Sequence, residues 1–391
     1  MEKKLKTNTK RRPDGIASDR DVNIELGLSM DQILENTAIG SIEKSIGNSM
    51  YGVSARTKRG FLPKSRNSQG YTFFTRPMLN LTDMNISNAR KFISLLRPSP
   101  QSYATYVRMM LDPRLARNMK LHSPFVNDES AFIPLLSNTL LNMSGWPDDE
   151  LPTYTTAPGH FGEQITMTDG HTNQYEAFDL SATFRDTRGN PLLYLLSTWY
   201  YYQTYAFQGI VQPYFDMVLE NEYDYHTCIY RILTDSTNRY VTNIARTGWA
   251  FPNTLPLGTI FDFNIENTLA DTSADLDIRF KCNMFFWGED IIKLEFNKVQ
   301  TLFSPSMRRL LIHDMTSKKS DDIRREDVRK TYFLPDTGLA KVPHHMLQVT
   351  EQSYDENTFY KLNHSMLPYI NLATNEMEWW APKDLVFRGR R

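Results

Sequence analysis

A nine-residue alternation of apolar and polar side chains constrains the fold of this chain more than any other feature. Between Leu276 and Met284 the even positions are apolar, and the odd positions are Asp, Arg, Lys and Asn. A period of two is that of a β-strand with one face buried and the other in water. The sequence therefore predicts a one-sided strand here and a β-rich core around it.

One further strand signal lies within the first hundred residues, and three more lie after residue 170. Tyr71–Thr75 is rich in aromatic and β-branched residues and stops at an Arg-Pro pair, and Tyr175–Arg185 alternates. Tyr225–Leu233 and Arg239–Arg246 flank a short polar loop, which is typical of a β-hairpin. The predicted class is α+β with a mainly β core.

One helix stands out by its aromatic content. Gly189-Asn190-Pro191 supplies a turn, an N-cap and a first helical residue, and the segment from Pro191 to about Ala206 is apolar almost all round. Such a helix is buried on most sides. Its aromatic run is the predicted contact surface for other subunits: Trp199, Tyr200, Tyr201 and Tyr202.

The remaining elements suggest four segments. We expect an extended N-terminal arm over 1–70, a helical and strand-containing unit over 71–145, a β domain over 146–300 and a C-terminal extension over 301–391. Ranges of further predicted helices are 30–35, 88–96, 101–110, 306–315 and, with many charges, 317–330.

Charge is segregated along the chain. The total is −1, but residues 145–300 hold 21 acidic and 9 basic side chains, a net charge of −12. The arm is basic, and Lys3, Lys4, Arg11 and Arg12 are its predicted contacts with neighbours.

The sequence offers little for catalysis. It contains no Gly-rich phosphate loop, no GxSxG elbow and no HExxH pair. His226, Cys228 and Cys282 fall on predicted strands and are better explained as core packing than as metal ligands. The acidic run Asp148–Glu150 is typical of a solvated loop. We therefore expect no catalytic residue, cofactor, metal or small-molecule substrate, and no membrane-spanning segment.

Several motifs resemble virion tail proteins of large contractile-tailed bacteriophages, the tail-tube-like and baseplate tube proteins. The resemblance spans about 71–300, and its strongest part is the run FDLSATFRDTRGNP at 178–191 with the aromatic helix that follows. The other matching motifs are Phe73–Pro77, Ser144–Pro147, Glu222–Tyr225, Ala245–Gly248 and Pro256–Gly258.

The resemblance implies a tail-tube-like β-sandwich or barrel with a flanking aromatic helix. It further implies a ring, six copies in such proteins, that forms part of the tail tube, the baseplate tube or a tube initiator and lines a DNA channel. We hypothesise that the acidic residues 145–300 line this channel, where like charge keeps DNA from adhering as it passes. Expected partners are other copies of the chain and other tail or baseplate proteins, with DNA passing transiently. The expected location is the virion tail, assembled in the host cytoplasm.

Two alternatives stay open from the residues themselves. The first is an enzyme with a cleft between the 71–145 and 146–300 units. The second is a DNA-binding virion protein that uses the basic arm, whose affinity for DNA would then fall with rising salt. The two cysteines cannot form a disulfide framework, which favours a reducing compartment.

Overall fold

The protein is described by a computed structural model over residues 70–96, 99–115, 123–170, 175–187, 189–235, 237–261, 275–318, 338–343 and 356–388. The predicted arm, the helix predicted at 30–35 and most of the charged helix predicted at 317–330 lie outside these ranges. The predicted contacts Lys3, Lys4, Arg11 and Arg12 lie outside them as well.

The alternating segments form one antiparallel sheet of six strands in the order β1-β6-β7-β8-β5-β2. Its strands are β1 (Tyr71–Phe74), β2 (Leu140–Ser144), β5 (Ala177–Arg185), β6 (Ile229–Thr234), β7 (Val241–Pro252) and β8 (Asp275–Trp287). Strands of the 71–145 and 146–300 segments thus share a single sheet. A separate hairpin joins β3 (Thr153–Thr155) to β4 (Thr166–Thr168).

The described helices lie before, between and after the strands of the large sheet. Those ahead of β6 are α1 (Asp83–Ile86), a 3₁₀ helix (Arg90–Leu96), α2 (Tyr103–Leu111), α3 (Pro134–Thr139), α4 (Pro191–Phe207) and α5 (Phe215–Leu219). Later come α6 (Leu257–Phe261), α7 (Asp290–Phe303), α8 (Pro305–Lys318), α9 (Glu356–Ser365) and α10 (Lys383–Arg388). α7, which the sequence analysis does not predict, is the principal helix on the second face of the sheet.

The start of α4 differs in one detail from the sequence prediction. Pro191 is the first helical residue, as predicted, but the side chain of Asn190 makes no capping hydrogen bond and its φ is 52°. The carboxylate of Asp186 takes that role, because it accepts hydrogen bonds from the N–H groups of Leu192 and Leu193 at 3.3 and 3.4 Å.

The first face of the sheet packs against α4 and the helices near it. The inward side chains of β5 and β8 alternate with outward polar ones, as period-two strands require. Buried contributors to this core are Leu180, Ala182, Phe184, Leu276, Ile278 and Phe280 from the strands, and Leu192, Leu195, Leu196 and Trp199 from α4.

The opposite face is covered only over part of the sheet, by α7. Phe296 is fully buried and its ring stacks on Phe132 at 4.8 Å between centroids, with Phe73 and Tyr230 each at 5.3 Å. Clusters of this kind stabilise beyond the area they bury. A three-stranded sheet, β10 (Leu367–Ile370), β11 (Met377–Pro382) and β9 (Leu339–Lys341), continues this side of the molecule.

The six-stranded sheet is curled rather than flat. A cavity of about 450 Å³ is lined both by Met143 and Trp146, at the β2 edge, and by Leu233 and Ala245 of β6 and β7. Strands so far apart in the sheet order can line one cavity only if the sheet bends over it. Within the described residues β1 and β2 are the outer strands and do not pair with each other. The fold is therefore a mixed α and β structure built on an open, curled sheet.

Gly248 marks a reversal of alternation between β7 and β8. Met284, opposite it, has a φ of 62°, and a Cβ at Gly248 would lie 2.8 Å from the Cβ of Met284 and 2.9 Å from the carbonyl oxygen of Asn283. Only glycine fits this close approach. Beyond Met284 the odd-numbered Phe285 joins Trp146 and Phe178, so the strand changes which side chains face inward.

Candidate assembly surfaces

The outward face of β5 and β8 is polar, and we call it the polar face. Its members are Asp179, Ser181, Thr183 and Arg185 of β5 with Asp275, Asp277, Arg279 and Lys281 of β8. Cross-strand contacts tie it together: Lys281 Nζ lies 3.1 Å from Asp179 Oδ1, and the Thr183 hydroxyl donates to Asp277 Oδ1 at 2.6 Å. Three acids and three bases leave the polar face without net charge.

The acidic excess of residues 145–300 lies partly on residues 148–170, which include the β3–β4 hairpin. Residues 148–170 carry Asp148, Asp149, Glu150, Glu163 and Asp169, with no lysine or arginine. Every one of these five side chains is exposed. The net negative charge counted over residues 145–300 is therefore not found on the polar face of β5 and β8. The hypothesis of an acidic channel would place it there.

One edge of the sheet is open. β2 pairs with β5 on one side, and no strand of the described ranges pairs with its other side. The chain leaves β2 at Gly145, whose φ is 101° and where a Cβ would lie 2.3 Å from the carbonyl oxygen of Asp179. An unpaired edge presents backbone N–H and C=O groups to another strand. At the other edge, β1 is partly occupied, since the N–H of Ile133 donates to the carbonyl of Phe74 at 2.9 Å.

The predicted aromatic contacts on α4 divide into two pairs. Trp199 and Tyr202 are fully buried in the chain's own core, and Trp199 Nε1 donates to the carbonyl of Tyr225 at 2.9 Å. Tyr200 and Tyr201 are half-buried, and the ammonium of Lys91 lies 3.4 Å from the centre of the Tyr201 ring. Because Trp199 and Tyr202 are buried, they stabilise the subunit itself, whereas Tyr200 and Tyr201 keep part of their surface exposed.

Two buried carboxylates lie beneath α4, and no motif in the sequence marks them. The Tyr202 hydroxyl donates to Asp224, while Asp112 accepts from the Tyr214 hydroxyl and from the N–H groups of Leu81 and Leu115. Burial raises the pKa of Asp224 and of Asp112 to about 6 in each case, and their hydrogen bonds only partly oppose this. This network joins α2, α4 and the segment before β6.

The candidate ligands His226, Cys228 and Cys282 do not form a site. Cys282 lies in the core beneath α4, and Cys228 packs against the core on the other face. His226 stacks on Trp249 and Phe251, and burial lowers the pKa of its imidazole to about 4. The described residues contain no group of three His, Cys, Asp or Glu side chains arranged for a metal ion.

None of the described helices combines the length and the apolar character needed to cross a membrane. No curated protein matches the sequence. One family does: residues 10–385 match the family described as "Putative phage tail tube protein".

Among solved structures, three chains are similar to part of this one. They are the anti-feeding prophage cap, a tube-terminating cap (15% identity, TM-score 0.25), the sheath/tube terminator of the extracellular contractile injection system PVC (15%, 0.23) and the PVC sheath–tube complex (16%, 0.25). Each match covers 40% of this chain, and 82%, 87% and 82% of the other chain respectively.

Proposed function

This chain belongs to the phage tail tube protein family, and from that premise we propose that it is a non-enzymatic structural subunit of a phage virion tail. In this proposal copies assemble into a ring, a hexamer, that forms part of the tail tube or of a baseplate tube or tube initiator. The predicted 1–70 arm and 301–391 extension, most of which lie within the family match, would contact other tail proteins.

The open edge of β2 is the observation that carries the ring. An antiparallel strand of a neighbour can extend the sheet there through backbone hydrogen bonds. Pairing of two β2 strands about a two-fold axis would close at a dimer. A ring therefore requires β2 of one copy to pair with a different strand of the next copy.

The polar face supplies a surface suited to a channel. Phosphate binding depends on uncompensated lysine and arginine. On the polar face Lys281 is paired with Asp179, and Arg185 Nε lies 3.5 Å from Asp275 Oδ1. We propose that this face lines the lumen, and that its lack of net charge lets DNA pass without adhering. Tyr200 and Tyr201 and the basic arm would then contact neighbouring subunits.

Imaging the purified protein tests the ring directly. Negative-stain microscopy and mass photometry are expected to show sixfold rings, alone or after addition of a partner tail protein. A stable monomer that binds a small ligand in a deep pocket would contradict the proposal.

Two adjacent proline variants test the role of β2. N–H groups of successive strand residues point to opposite sides, so of Asn142→Pro and Met143→Pro one removes a bond to β5 and the other an outward N–H. We expect one variant to lower the melting temperature and the other to keep it while losing rings. Rings that survive in the stable variant would show that the β2 edge is not the contact.

A further inference from the structure

The hairpin of residues 148–170, which includes β3 and β4, has no core of its own. All of these residues except Thr156 are exposed. The two strands pair over three residues, and the N–H of Thr156 also donates to the carbonyl of Ile165 at 2.9 Å. A lone two-stranded hairpin is at best marginally stable in water. The hairpin is therefore expected to gain its stability from a surface outside itself.

Its two sides differ in chemistry. Tyr154 pairs with Met167, and Ile165, two residues before Met167 and directly before β4, lies on the same side. These three side chains are 53%, 54% and 62% exposed, and Phe161 at the tip is 91% exposed. The opposite side consists of four threonines: Thr153, Thr155, Thr166 and Thr168. An apolar stripe on one side and hydroxyls on the other are what a hairpin needs to lie against an apolar surface.

Elsewhere in the described residues lies a groove whose lining includes Phe73, Met366 and Trp379 among polar side chains, and we call it the β1 groove. Two cavities of about 380 and 520 Å³ share Phe73, Met366 and Trp379, so they form one depression beside β1. Arg231 lines one end of it, and its lining contains no aspartate or glutamate. The hairpin carries five acids and no base, so it would meet no like charge there.

We propose that the apolar side of the hairpin of one copy packs into the β1 groove of the next copy. This rests on the proposed ring and adds a second contact between neighbouring copies, beside the pairing of the β2 edge. The hairpin and the groove are different surfaces of one chain, so the interface is heterologous: each copy offers one hairpin and one groove. Such contacts continue from copy to copy and end only when a ring closes.

Placing charged side chains on one side of the hairpin tests the contact. In the full chain, Tyr154→Lys with Met167→Lys places two charges on the apolar side, and Thr153→Lys with Thr168→Lys is the matched control on the other side. We expect the first variant to need at least a tenfold higher concentration for half-assembly in mass photometry. The control should assemble like the wild type, and both should melt at the wild-type temperature because neither alters the core.

The groove is tested by filling it. Asn138 is exposed at the groove, so Asn138→Trp obstructs it without disturbing buried packing. This variant should also fail to form rings. Mixed with the Tyr154→Lys/Met167→Lys variant, it should form dimers and stop, because the pair retains one intact hairpin and one intact groove.

The outcomes separate this inference from the proposed function. Rings from the Tyr154→Lys/Met167→Lys variant would overturn the hairpin contact and leave the ring proposal standing. Rings from Asn138→Trp, with changed protease sensitivity of residues 1–69, would assign the groove to the arm and overturn the proposed partner. A wild-type chain that forms no rings even with partner tail proteins would overturn the proposed function itself.

Discussion

The two halves of the six-stranded sheet differ in how many of their faces are covered. In β6, Ile229 faces the core beneath α4 while Tyr230 and Ile232 face α7. In β5, Leu180, Ala182 and Phe184 face the first core and the intervening side chains face solvent. Backbone pairing is antiparallel in both halves, so the side-chain pattern alone distinguishes the half with both faces covered from the half with one face in solvent.

The largest expected effect lies in the half that is covered on both sides. Phe296→Ala leaves a cavity among Phe73, Phe132 and Tyr230 and should lower the free energy of unfolding by about 3–5 kcal/mol. Ile291→Ala, on the same helix but 56% exposed, should cost under about 1 kcal/mol. Urea denaturation of both variants measures the difference. Equal losses would mean that α7 does not cover this half.

A smaller effect comes from the carboxylates beneath α4. The pKa of Asp224 is raised to about 6 in the folded chain from a usual value of 3.8, so its contribution to stability is full below pH 3.8 and is lost as the pH rises through 6. We expect the free energy of unfolding to fall between pH 4 and 7, by up to about 3 kcal/mol for this group.

Asp224→Asn keeps an acceptor for the Tyr202 hydroxyl and removes the titrating group. Denaturation at several pH values should then show a shallower decline, and adding Asp112→Asn should flatten it further because the pKa of Asp112 is raised in the same direction. A decline that is unchanged in the double variant would place the pH dependence elsewhere.

The smallest effect is expected on the polar face. Lys281 and Asp179 are 39% and 58% exposed, and exposed ion pairs contribute roughly 0.2–1 kcal/mol. A double-mutant cycle of Lys281→Ala and Asp179→Ala should give a coupling energy in that range, and it should shrink in 0.5 M salt. A coupling of several kcal/mol would show that this pair is shielded from water. It would contradict the conclusion that β5 and β8 leave one face in solvent.

Most regular elements around the large sheet follow from local pattern. β5, β8, the β6–β7 hairpin and α4 lie within a few residues of their predicted positions, because a period of two and a capped apolar helix are visible in short windows. The β3–β4 hairpin could not be predicted from local pattern. It follows the acidic run Asp148–Glu150, for which the sequence predicts a solvated loop, and its three-residue strands are too short to show a period.

The assembly surfaces could be predicted only in part. The sequence singles out Trp199 to Tyr202 as an aromatic run, yet adjacent helix positions point in different directions, so two are buried and two keep surface. Asp112 and Asp224 are ordinary acids in sequence, and only their burial in the folded chain raises their pKa. Division of the chain at 145 and 300 stays a prediction.

By itself the sequence determined the local elements and which side of each strand is apolar, because these depend on neighbours a few residues apart. Tertiary structure alone decided that Phe73 of β1 pairs with Tyr230 of β6, that α7 covers one half of the outer face, and that β2 has a partner strand on only one side among the described residues. Those outcomes depend on contacts between distant segments, whose gain in burial must exceed the entropy lost in closing the loops between them. This balance between burial and chain entropy cannot be read from a short window of sequence.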